Sequence, residues 1–420
     1  MKHYLRMSSE PSAESDFGRW EIPSEIASRE GQLEPFEFYE RMRQKNPVRY
    51  DENRGVGDVV LYEDVVAAAS DFDYFSSEGA SAQDRSCDDE DAEDKPNMLG
   101  SDPPRHDELR EVVEDYFKRN FLDQFRPELE DRAETLFDEA LADDPEMEFI
   151  DDIARPFPAI TIAEFLGIGT ENLDSLIEWT ETVLESPHNV SEEERLRSHR
   201  ESSEAQQELA DFFDKKVKQR KENPQDDIIT KVTQTDKGGS MLSYTDIDAT
   251  KFCVLLFTAG HITTTKLLSN AVWAFIEHDL VEPLNEGSVQ LKPAIEEVLR
   301  YRSVAQSITR VATRDVELRG EVVPEGDPII AWLGSAHRDP DVFKNPDTFD
   351  PTRQPNRHIG FGRGIHTCIG APLARMEAEI IPSEFLDRVE DAEITTDQLE
   401  PVYSRSEYGL EELPLSLSLS

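Results

Sequence analysis

The spacing of apolar residues divides the chain into a large helical part and a smaller part built from short strands. From about residue 105 to residue 300, apolar positions recur every three or four residues, which places them on one face of a helix. Clear examples of this spacing are Leu136, Ala140, Leu141, Leu209, Phe212 and Phe213. The longest uninterrupted helical stretch is predicted over residues 245–278. This pattern predicts a mainly helical protein.

Short strands are predicted on both sides of the helical part. After a short helix over residues 35–43, residues 47–50 and 59–62 predict two strands that are separated by a turn at residues 53–55. Residues 308–333 predict further short strands, because runs of valine and leucine alternate there with glycine and proline. The strands are too few and too short to form the main part of the fold.

The C-terminal part of the chain is less regular. A meander is marked by the prolines Pro340, Pro346, Pro351 and Pro355. The alternation of Leu415, Leu417 and Leu419 predicts an edge strand. We find no internal repeat and no linker between two cores. The prediction is therefore an N-terminal arm over residues 1–35 and one domain over residues 36–420, mainly α with a minor β part.

The charge of the chain excludes two classes of partner. The 420 residues include 44 Lys and Arg against 90 Asp and Glu, which gives a formal net charge of −46 at pH 7. Such a surface repels nucleic acid and anionic membranes, so neither is an expected partner. The acidic residues are spread along the whole chain, as is typical of proteins in molar salt, where self-repulsion is screened. We therefore expect a halophilic archaeal source rather than a basic partner protein.

No targeting or membrane-spanning segment is predicted. Residues 1–6 lack the apolar core of a signal peptide, and no stretch approaches the roughly 18 apolar residues of a membrane span. Residues 80–100 are strongly acidic and predict a solvated, mobile loop. The cysteines Cys87, Cys253 and Cys368 form no Cys-x-x-Cys pair, which argues against a structural zinc site or an iron–sulfur cluster. The expectation is a soluble cytoplasmic protein.

Cys368 lies in a segment rich in glycine that is followed by a predicted helix start. Gly362, Gly364 and Gly370 allow a flat molecule to approach the backbone, and Ala371-Pro372 favours the first turn of a helix. A thiolate at this position is stabilised by free backbone N–H groups and by the helix dipole. The alternative for an isolated cysteine is a small buried apolar residue. The surrounding glycines favour the interpretation that Cys368 is a thiolate that binds a ligand.

This segment resembles the haem-binding loop of the cytochrome P450 family. Relative to Cys368, the matching residues are Phe361 at −7, Gly362 at −6, Gly364 at −4, His366 at −2 and Gly370 at +2. The resemblance covers residues 35–415 and implies the cytochrome P450 fold, a helical haem-thiolate domain with small sheets. It implies haem b as cofactor, bound by this loop, with Cys368 as the axial ligand of the iron. Such a thiolate favours O–O cleavage.

One face of the predicted central helix carries the residues that are expected to activate oxygen. Positions that share this face are Phe252, Leu255, Leu256, Ala259 and Thr263. Residues 259–263 resemble the oxygen-activation segment of the family. The resemblance implies a groove at the small residues Ala259 and Gly260, and a hydrogen bond donated by Thr263 during catalysis. The alternative for a buried helical threonine is a hydrogen bond to the carbonyl four residues earlier.

The chain departs from the family pattern at Ile262, where the family usually has Asp or Glu immediately before the threonine. Three explanations remain open: water delivers protons through Thr263, His261 substitutes for the acid, or hydrogen peroxide replaces oxygen. His261 lies on a different helix face from Thr263, which makes it a poor substitute. We favour water acting through Thr263.

Basic residues predict a site for an anion. His106 and Arg110 are four residues apart and share one helix face. In so acidic a chain this arrangement indicates a bound anion, and the alternative is an ion pair between Arg110 and Glu114. The resemblance implies that His106, Arg110, Arg310 and His358 hold the two carboxylates of the haem.

A second set of charged residues predicts a buried network. Glu297 and Arg300, taken alone, are typical of an ion pair on a helix surface. The resemblance implies instead that Glu297, Arg300 and Arg353 form a buried network that holds the meander and, through it, the cysteine loop. Loss of one member is then expected to prevent haem incorporation, because its partners stay buried without it.

The sequence as a whole predicts a haem-thiolate monooxygenase that inserts one atom of O2 into a small hydrophobic substrate. No flavin domain, ferredoxin domain or nucleotide loop is recognisable, so a separate ferredoxin and ferredoxin reductase are the expected electron donors. Candidate docking residues are Arg105, Arg357, Arg363 and Arg375. Candidate substrate contacts are Val254, Leu255, Ala259, residues 304–308 and residues 406–408. Two alternatives remain open: a peroxide-driven hydroxylase, and a non-catalytic haem-binding sensor or carrier.

Overall fold

The structure of the protein is a computed structural model that describes residues 22–80, 97–142, 145–184, 191–234 and 249–419. Most of the predicted N-terminal arm and most of the predicted acidic loop lie outside the described residues. The first four residues of the predicted central helix also lie outside them.

Helices make up most of the described chain. In chain order they are α1 (Arg29–Leu33), α2 (Phe36–Lys45), α3 (Tyr62–Ser70), α4 (Arg105–Val113), α5 (Arg119–Leu122), α6 (Arg126–Ala140), α7 (Pro156–Leu166), α8 (Leu173–Leu184), α9 (Glu192–Glu222), α10 (Ile228–Gln234), α11 (Ala249–Glu277), α12 (Val281–Asn285), α13 (Leu291–Tyr301), α14 (Leu333–Ala336) and α15 (Ala371–Arg388). The predicted mainly α fold with a minor β part is confirmed.

Three small sheets complete the described fold. Their strands are β1 (Val48–Asp51), β2 (Val56–Val59), β3 (Phe75–Ser76), β4 (Glu146–Glu148), β5 (Ile308–Ala312), β6 (Val316–Leu318), β7 (Glu321–Val323), β8 (Pro328–Ala331), β9 (Val389–Ile394) and β10 (Pro414–Leu419). The strand orders are β1-β2-β8-β5-β3, β4-β10-β9 and β6-β7. Strands β2 and β8 run parallel, and the other pairs are antiparallel.

The central helix α11 organises the largest core cluster. It packs against α7, α9, α13 and α15, and residues along most of its length are buried, among them Phe257, Leu268 and Phe275. Its length and apolar composition would also suit a membrane span, but core helices of soluble proteins share these properties, and most of this helix is buried inside the protein. The burial of α11 by helices on several sides explains its nearly continuous apolar sequence.

Among the described residues, the longest helix is not the one that the apolar pattern predicts. α9 has 31 residues and α11 has 29. α9 is rich in charged residues, and it begins at a capping box in which Ser191 and Glu194 satisfy each other's backbone N–H groups. Continuous apolar sequence therefore indicated burial rather than length.

Three predictions about chain ends and strands differ from the structure. Strand β10, which contains Leu415 and Leu417, was expected at a sheet edge but lies between β4 and β9. Both leucines are buried, because alternate positions of β10 face the core. At the other end, helices already form before residue 36, and Ile26 is only 3% exposed within a small apolar cluster. The second strand, predicted over residues 59–62, is β2 (Val56–Val59), and Tyr62 already begins α3.

Candidate active site

The loop that carries Cys368 is held in place by backbone hydrogen bonds and close packing. The Cys368 N–H donates to the Phe361 carbonyl at 2.8 Å, and the Gly362 N–H donates to the Ile359 carbonyl at 2.8 Å. Gly364 has a φ of 75°, and a Cβ atom there would lie 2.7 Å from the Cα atom of Ser70 at the end of α3. A side chain at position 364 would therefore be strained and would also clash with α3.

The Cys368 thiol is accessible although it lies deep in the fold. The residue is exposed to solvent, yet burial raises the pKa of the thiol, against the opposing effects of the Gly370 N–H group and the charge of Arg110. A thiol that solvent reaches, although protein atoms surround it on most sides, lines a recess. The other described cysteine, Cys253, is buried in α11. A thiol in this environment becomes a stable thiolate when a metal cation binds it.

The central helix lines the same recess. Ala259 and Thr263 are exposed in the middle of α11, whereas His261 and Ile262 beside them are buried. α15 begins three residues after Cys368 and packs against α11, and from this packing we infer that Cys368 and the exposed face of α11 line one recess. We call this space the central recess.

The hydroxyl group of Thr263 makes a hydrogen bond to the carbonyl four residues earlier, as expected for a helical threonine. Thr263 Oγ1 donates to the Ala259 carbonyl at 2.9 Å. The lone pairs of the oxygen remain available as acceptors at the wall of the central recess. The groove at Gly260 stays a prediction, and a Cβ atom at this glycine would lie 3.0 Å from Ile162 of α7. Its small size therefore serves the packing of α11 on α7, while Ala259 faces the recess.

His261 cannot serve as a nearby acid. Its side chain is fully buried, and burial, with the charge of Arg155, lowers its pKa to about 3. The ring lies 6.0 Å from that of Phe257, among core residues. The expectation that His261 faces away from Thr263 agrees with this position.

Four of the predicted basic residues come together near Cys368. The rings of His106 on α4 and His366 lie 4.5 Å apart. Burial and then the charges of Arg310, on β5, and of His106 and Arg110 lower the pKa of His366 to about 4. Residues from three separate segments therefore form one cluster, in which Arg110 and Arg310 supply the positive charge.

This cluster has unused capacity to bind an anion. The Nε2 atom of His106 is buried without a hydrogen-bond partner, and burial lowers the pKa of Arg310 to about 10, with Asp102 opposing. Within the described ranges, no ion pair joins Arg110 to Glu114, which contacts Lys118 at 3.5 Å instead. The surface-pair alternative for Arg110 is therefore wrong. Cations, an unpartnered imidazole nitrogen and an accessible thiol fit a haem, which carries an iron and two carboxylates.

His358 does not join this cluster. Its Nε2 atom contacts Glu296 at 2.8 Å, and its Nδ1 atom accepts the Gly360 N–H at 3.2 Å. Both ring nitrogens thus have partners in the protein, and the contact of His358 with a haem carboxylate stays a prediction. Its position indicates that it also supports the backbone just before the cysteine loop.

Glu296 and Arg375 form a supporting network that the sequence did not predict. Arg375 donates from Nε to Glu296 at 2.6 Å, and its guanidinium lies 4.5 Å from the centre of the Phe361 ring. Although burial favours the neutral acid, hydrogen bonds from His358 and Arg375 lower the pKa of Glu296 to about 2. The only sequence indication was a second acidic residue immediately before Glu297, which by itself is not informative.

The predicted network of Glu297, Arg300 and Arg353 is present and buried. Arg300 donates to both carboxylate oxygens of Glu297 at 2.7 and 2.9 Å, and Arg353 Nε lies 3.1 Å from each of them. The side chains of Glu297 and Arg300 are 0% exposed, which excludes a surface pair. The two arginines also donate to carbonyl groups of the meander, at Lys344 and Pro346 among others. The network therefore fixes the meander that precedes the cysteine loop.

Comparisons with known proteins agree with this site. The family model for cytochrome P450 matches residues 290–419. The putative cytochrome P450 YjiB of Bacillus subtilis is 33% identical over 385 residues, which cover 91% of this chain and 94% of that protein. The cyclomarin C epoxidase CymV of Salinispora arenicola is 35% identical over 357 residues, which cover 84% and 88%.

A solved structure has the same overall fold. The complex of CYP109E1 from Bacillus megaterium with testosterone has a TM-score of 0.83 and 33% sequence identity, and the match covers 93% of this chain and 99% of that one. The chain belongs to the cytochrome P450 family. It is therefore a cytochrome P450 monooxygenase, an oxidoreductase whose family uses a haem-thiolate cofactor.

Proposed function

We propose that this protein binds haem b and uses electrons from a separate ferredoxin and ferredoxin reductase to insert one atom of O2 into a small hydrophobic substrate. The observation that supports this proposal is that Cys368 and Thr263 are both exposed and that α15, which begins three residues after Cys368, packs against the helix that carries Thr263. When bound, haem supplies the activation of oxygen and the cleavage of the O–O bond. The other steps depend on the residues of the chain.

Each group at the recess has a distinct role in this proposal. Cys368 would bind the iron, while His106, Arg110, Arg310 and His366 would hold the two carboxylates. Ala259 would leave space beside the helix. Thr263 Oγ1 would accept a hydrogen bond from a water molecule and so fix the path by which protons enter. The apolar core around α11 would exclude other water from the reacting centre.

Docking of an acidic ferredoxin is proposed for the surface near the cysteine loop. Arg357 and Arg363 are exposed there. Arg105 and Arg375, which the sequence also suggested, are drawn toward Glu108 and Glu296. Arg357 and Arg363 are therefore the stronger candidates for contact with a partner. At contact distance, salt weakens the attraction between these arginines and an acidic partner but does not abolish it.

The experiment that tests the proposed function uses isotopically labelled oxygen. The haem-loaded protein is supplied with ferredoxin, its reductase and substrate candidates under ¹⁸O2. Incorporation of one ¹⁸O atom per product molecule, dependent on reductant, supports the proposal. Product that carries no ¹⁸O, or no product from any hydrophobic candidate despite bound haem, would count against it.

A peroxide-driven hydroxylase is the second candidate, and Ile262 favours it. Ile262 is buried at the position where the family usually has an acid that assists the delivery of protons when O2 is the oxidant. Hydrogen peroxide already carries the protons and electrons that the reductase pathway supplies. Faster turnover with peroxide than with ferredoxin and reductase would support this candidate.

We infer a cytoplasm of very high salt as the working environment. The inference rests on the net charge of −46 over 420 residues. Because self-repulsion is screened at about 1 M salt, where the Debye length is about 3 Å, stability should rise with KCl concentration. A melting temperature that is independent of KCl would contradict this environment.

A further inference from the structure

An ion pair joins the central helix to the C-terminal loop beside the central recess. The ammonium group of Lys266 contacts the carboxylate of Glu407. Lys266 lies three residues after Thr263 and seven after Ala259, so the three residues share one face of α11. Ala259 and Thr263 are exposed to the recess. The ion pair therefore lies along the same wall, about one turn beyond Thr263.

The pair is withdrawn from bulk solvent. The side chain of Lys266 is 13% exposed and that of Glu407 is 28% exposed. Removing two charges from water is costly unless their remaining hydrogen-bonding positions also find partners. An ammonium group has three donors and a carboxylate has about four acceptor positions, so their mutual contact uses only part of this capacity. A polar group that enters the recess can use the rest.

The position of Glu407 is fixed by the backbone around it. The Glu407 N–H donates to Ser404 Oγ at 3.1 Å, and the next residue, Tyr408, donates its N–H to the Val304 carbonyl at 2.8 Å. Glu407 also forms an isolated β-bridge with Ala305. The carboxylate is thus presented from a loop that is joined to Val304 and Ala305, two of the candidate substrate contacts. Such preorganisation reduces the entropy that binding would otherwise cost.

We propose that Lys266 and Glu407 form a polar subsite for a hydroxyl group of the substrate. A hydroxyl group accepts a hydrogen bond from the ammonium and donates one to the carboxylate, so it satisfies both members of the pair. A ketone only accepts, a hydrocarbon does neither, and a carboxylate competes with Glu407 for Lys266. This inference rests on the proposed function and assigns its substrate class: an apolar molecule that carries a hydroxyl group away from the oxidised carbon.

The test compares two matched pairs of probes. The haem-loaded protein, in concentrated KCl, is titrated with testosterone and with androst-4-en-3-one, which lacks the hydroxyl group at carbon 17. It is then titrated with dodecan-1-ol and with dodecane. Binding is followed by the absorption spectrum of the haem and by calorimetry. We expect the hydroxyl-bearing member of at least one pair to bind about tenfold more tightly, because its absence leaves a desolvated ion pair without a partner.

Variants of Lys266 and Glu407 test whether this preference for a hydroxyl group depends on their ion pair. In Lys266→Met and Glu407→Gln the preference for the hydroxyl-bearing probe should fall to about threefold or less, because the hydroxyl group loses the ammonium donor in the first variant and the charged acceptor in the second, whereas Lys266→Arg should keep more of the preference. The control is Lys292→Met, which removes an ion pair with Glu379 on the outer surface, where Lys292 is 68% exposed. This control should leave the preference unchanged. If Lys266→Met fails to fold, the nearly isosteric Glu407→Gln decides.

Three results would overturn the subsite: equal binding within both pairs, a preference that persists in both variants, or no binding of any of the four probes. The carbon monoxide spectrum of the same preparations separates this failure from that of the proposed function. A haem-thiolate spectrum without hydroxyl preference overturns the subsite alone. The absence of that spectrum in the unaltered protein overturns the proposed function.

Discussion

The guanidinium group of Arg375 lies 4.5 Å from the centre of the Phe361 ring, and the Phe361 carbonyl accepts the N–H of Cys368. Arg375 in turn is held by Glu296, which also binds His358. A chain of direct contacts thus runs from the middle of α13 to the residue that we propose as iron ligand. The cysteine loop is therefore supported by contacts between residues from several segments of the chain.

Glu296→Gln should weaken this support in a way that depends on pH. The pKa of Glu296 is lowered to about 2 in the folded protein, below its ordinary value of 4.5. The carboxylate therefore stabilises the fold above about pH 4.5, and this contribution is lost as the pH falls toward 2. Because the side chains of Glu296 and Arg375 are both about one-third exposed, the free energy of unfolding should fall by only about 1 kcal/mol at neutral pH.

The measurement for Glu296 is the free energy of unfolding of both proteins between pH 2 and pH 6. The difference between the unaltered protein and Glu296→Gln should shrink as the pH falls through this range. A difference that is constant across the range would show that the charge of Glu296 is not responsible.

Arg353→Ala should be far more damaging than the loss of a surface arginine. Glu297 is 0% exposed and binds both Arg300 and Arg353, so removal of Arg353 leaves an incompletely paired buried carboxylate. Breaking a buried pair in this way costs about 3–5 kcal/mol. We expect reduced stability and little haem incorporation on expression, measured by the ratio of haem to protein absorbance.

The matched control for Arg353 is Lys118→Ala. Lys118 pairs with Asp115 at 2.6 Å but is 55% exposed, so its loss should leave both stability and haem content nearly unchanged. Equal effects of the two substitutions would contradict a structural role for the buried network.

Arg110→Gln should loosen haem while leaving the fold intact. Arg110 forms no ion pair with the nearby Glu114, and we propose a haem carboxylate as its partner. A hydrogen bond to a charged group contributes about 1.5–3 kcal/mol, so haem should leave at least about tenfold faster. Transfer of haem to apomyoglobin measures this rate, and Arg110→Lys should be intermediate. Unchanged transfer would remove Arg110 from the proposed haem site.

Thr263→Ala should separate oxygen consumption from product formation. The substitution removes the hydroxyl oxygen at the recess wall and one hydrogen bond to Ala259, so the fold should be nearly unaffected. If Thr263 positions the water that delivers protons, product per electron consumed should fall on the order of 10²-fold, and Thr263→Ser should restore most of it. Normal coupling in Thr263→Ala would favour another route, including the direct use of peroxide.

The sequence was sufficient for the class of fold and for contacts between residues that are close in the chain. The glycine spacing around Cys368 and the helical spacing from Ala259 to Thr263 reflect local backbone geometry, which a sequence encodes directly. The burial of Glu297 and Arg300 followed only from the resemblance, because an identical spacing also occurs on helix surfaces.

Long-range choices of partner were beyond the sequence. His358 contacts Glu296 because α13 lies beside the segment before the cysteine loop, where a Cβ atom at Gly360 would lie 2.7 Å from the Leu299 carbonyl, and no local pattern encodes that packing. The pairing of Lys266 with Glu407 joins residues 141 positions apart for the same reason. Likewise, β10 is a central strand because β4, far earlier in the chain, pairs with its free edge.

The carbon monoxide difference spectrum of the reduced protein in multimolar KCl tests the central claim most directly. We expect a strongly red-shifted Soret band in the unaltered protein and its loss in Cys368→Ala, whereas Cys253→Ala should keep it, because Cys253 is buried in the core. An unshifted band in the unaltered protein, or a shifted band that survives in Cys368→Ala, would contradict ligation of the haem iron by Cys368.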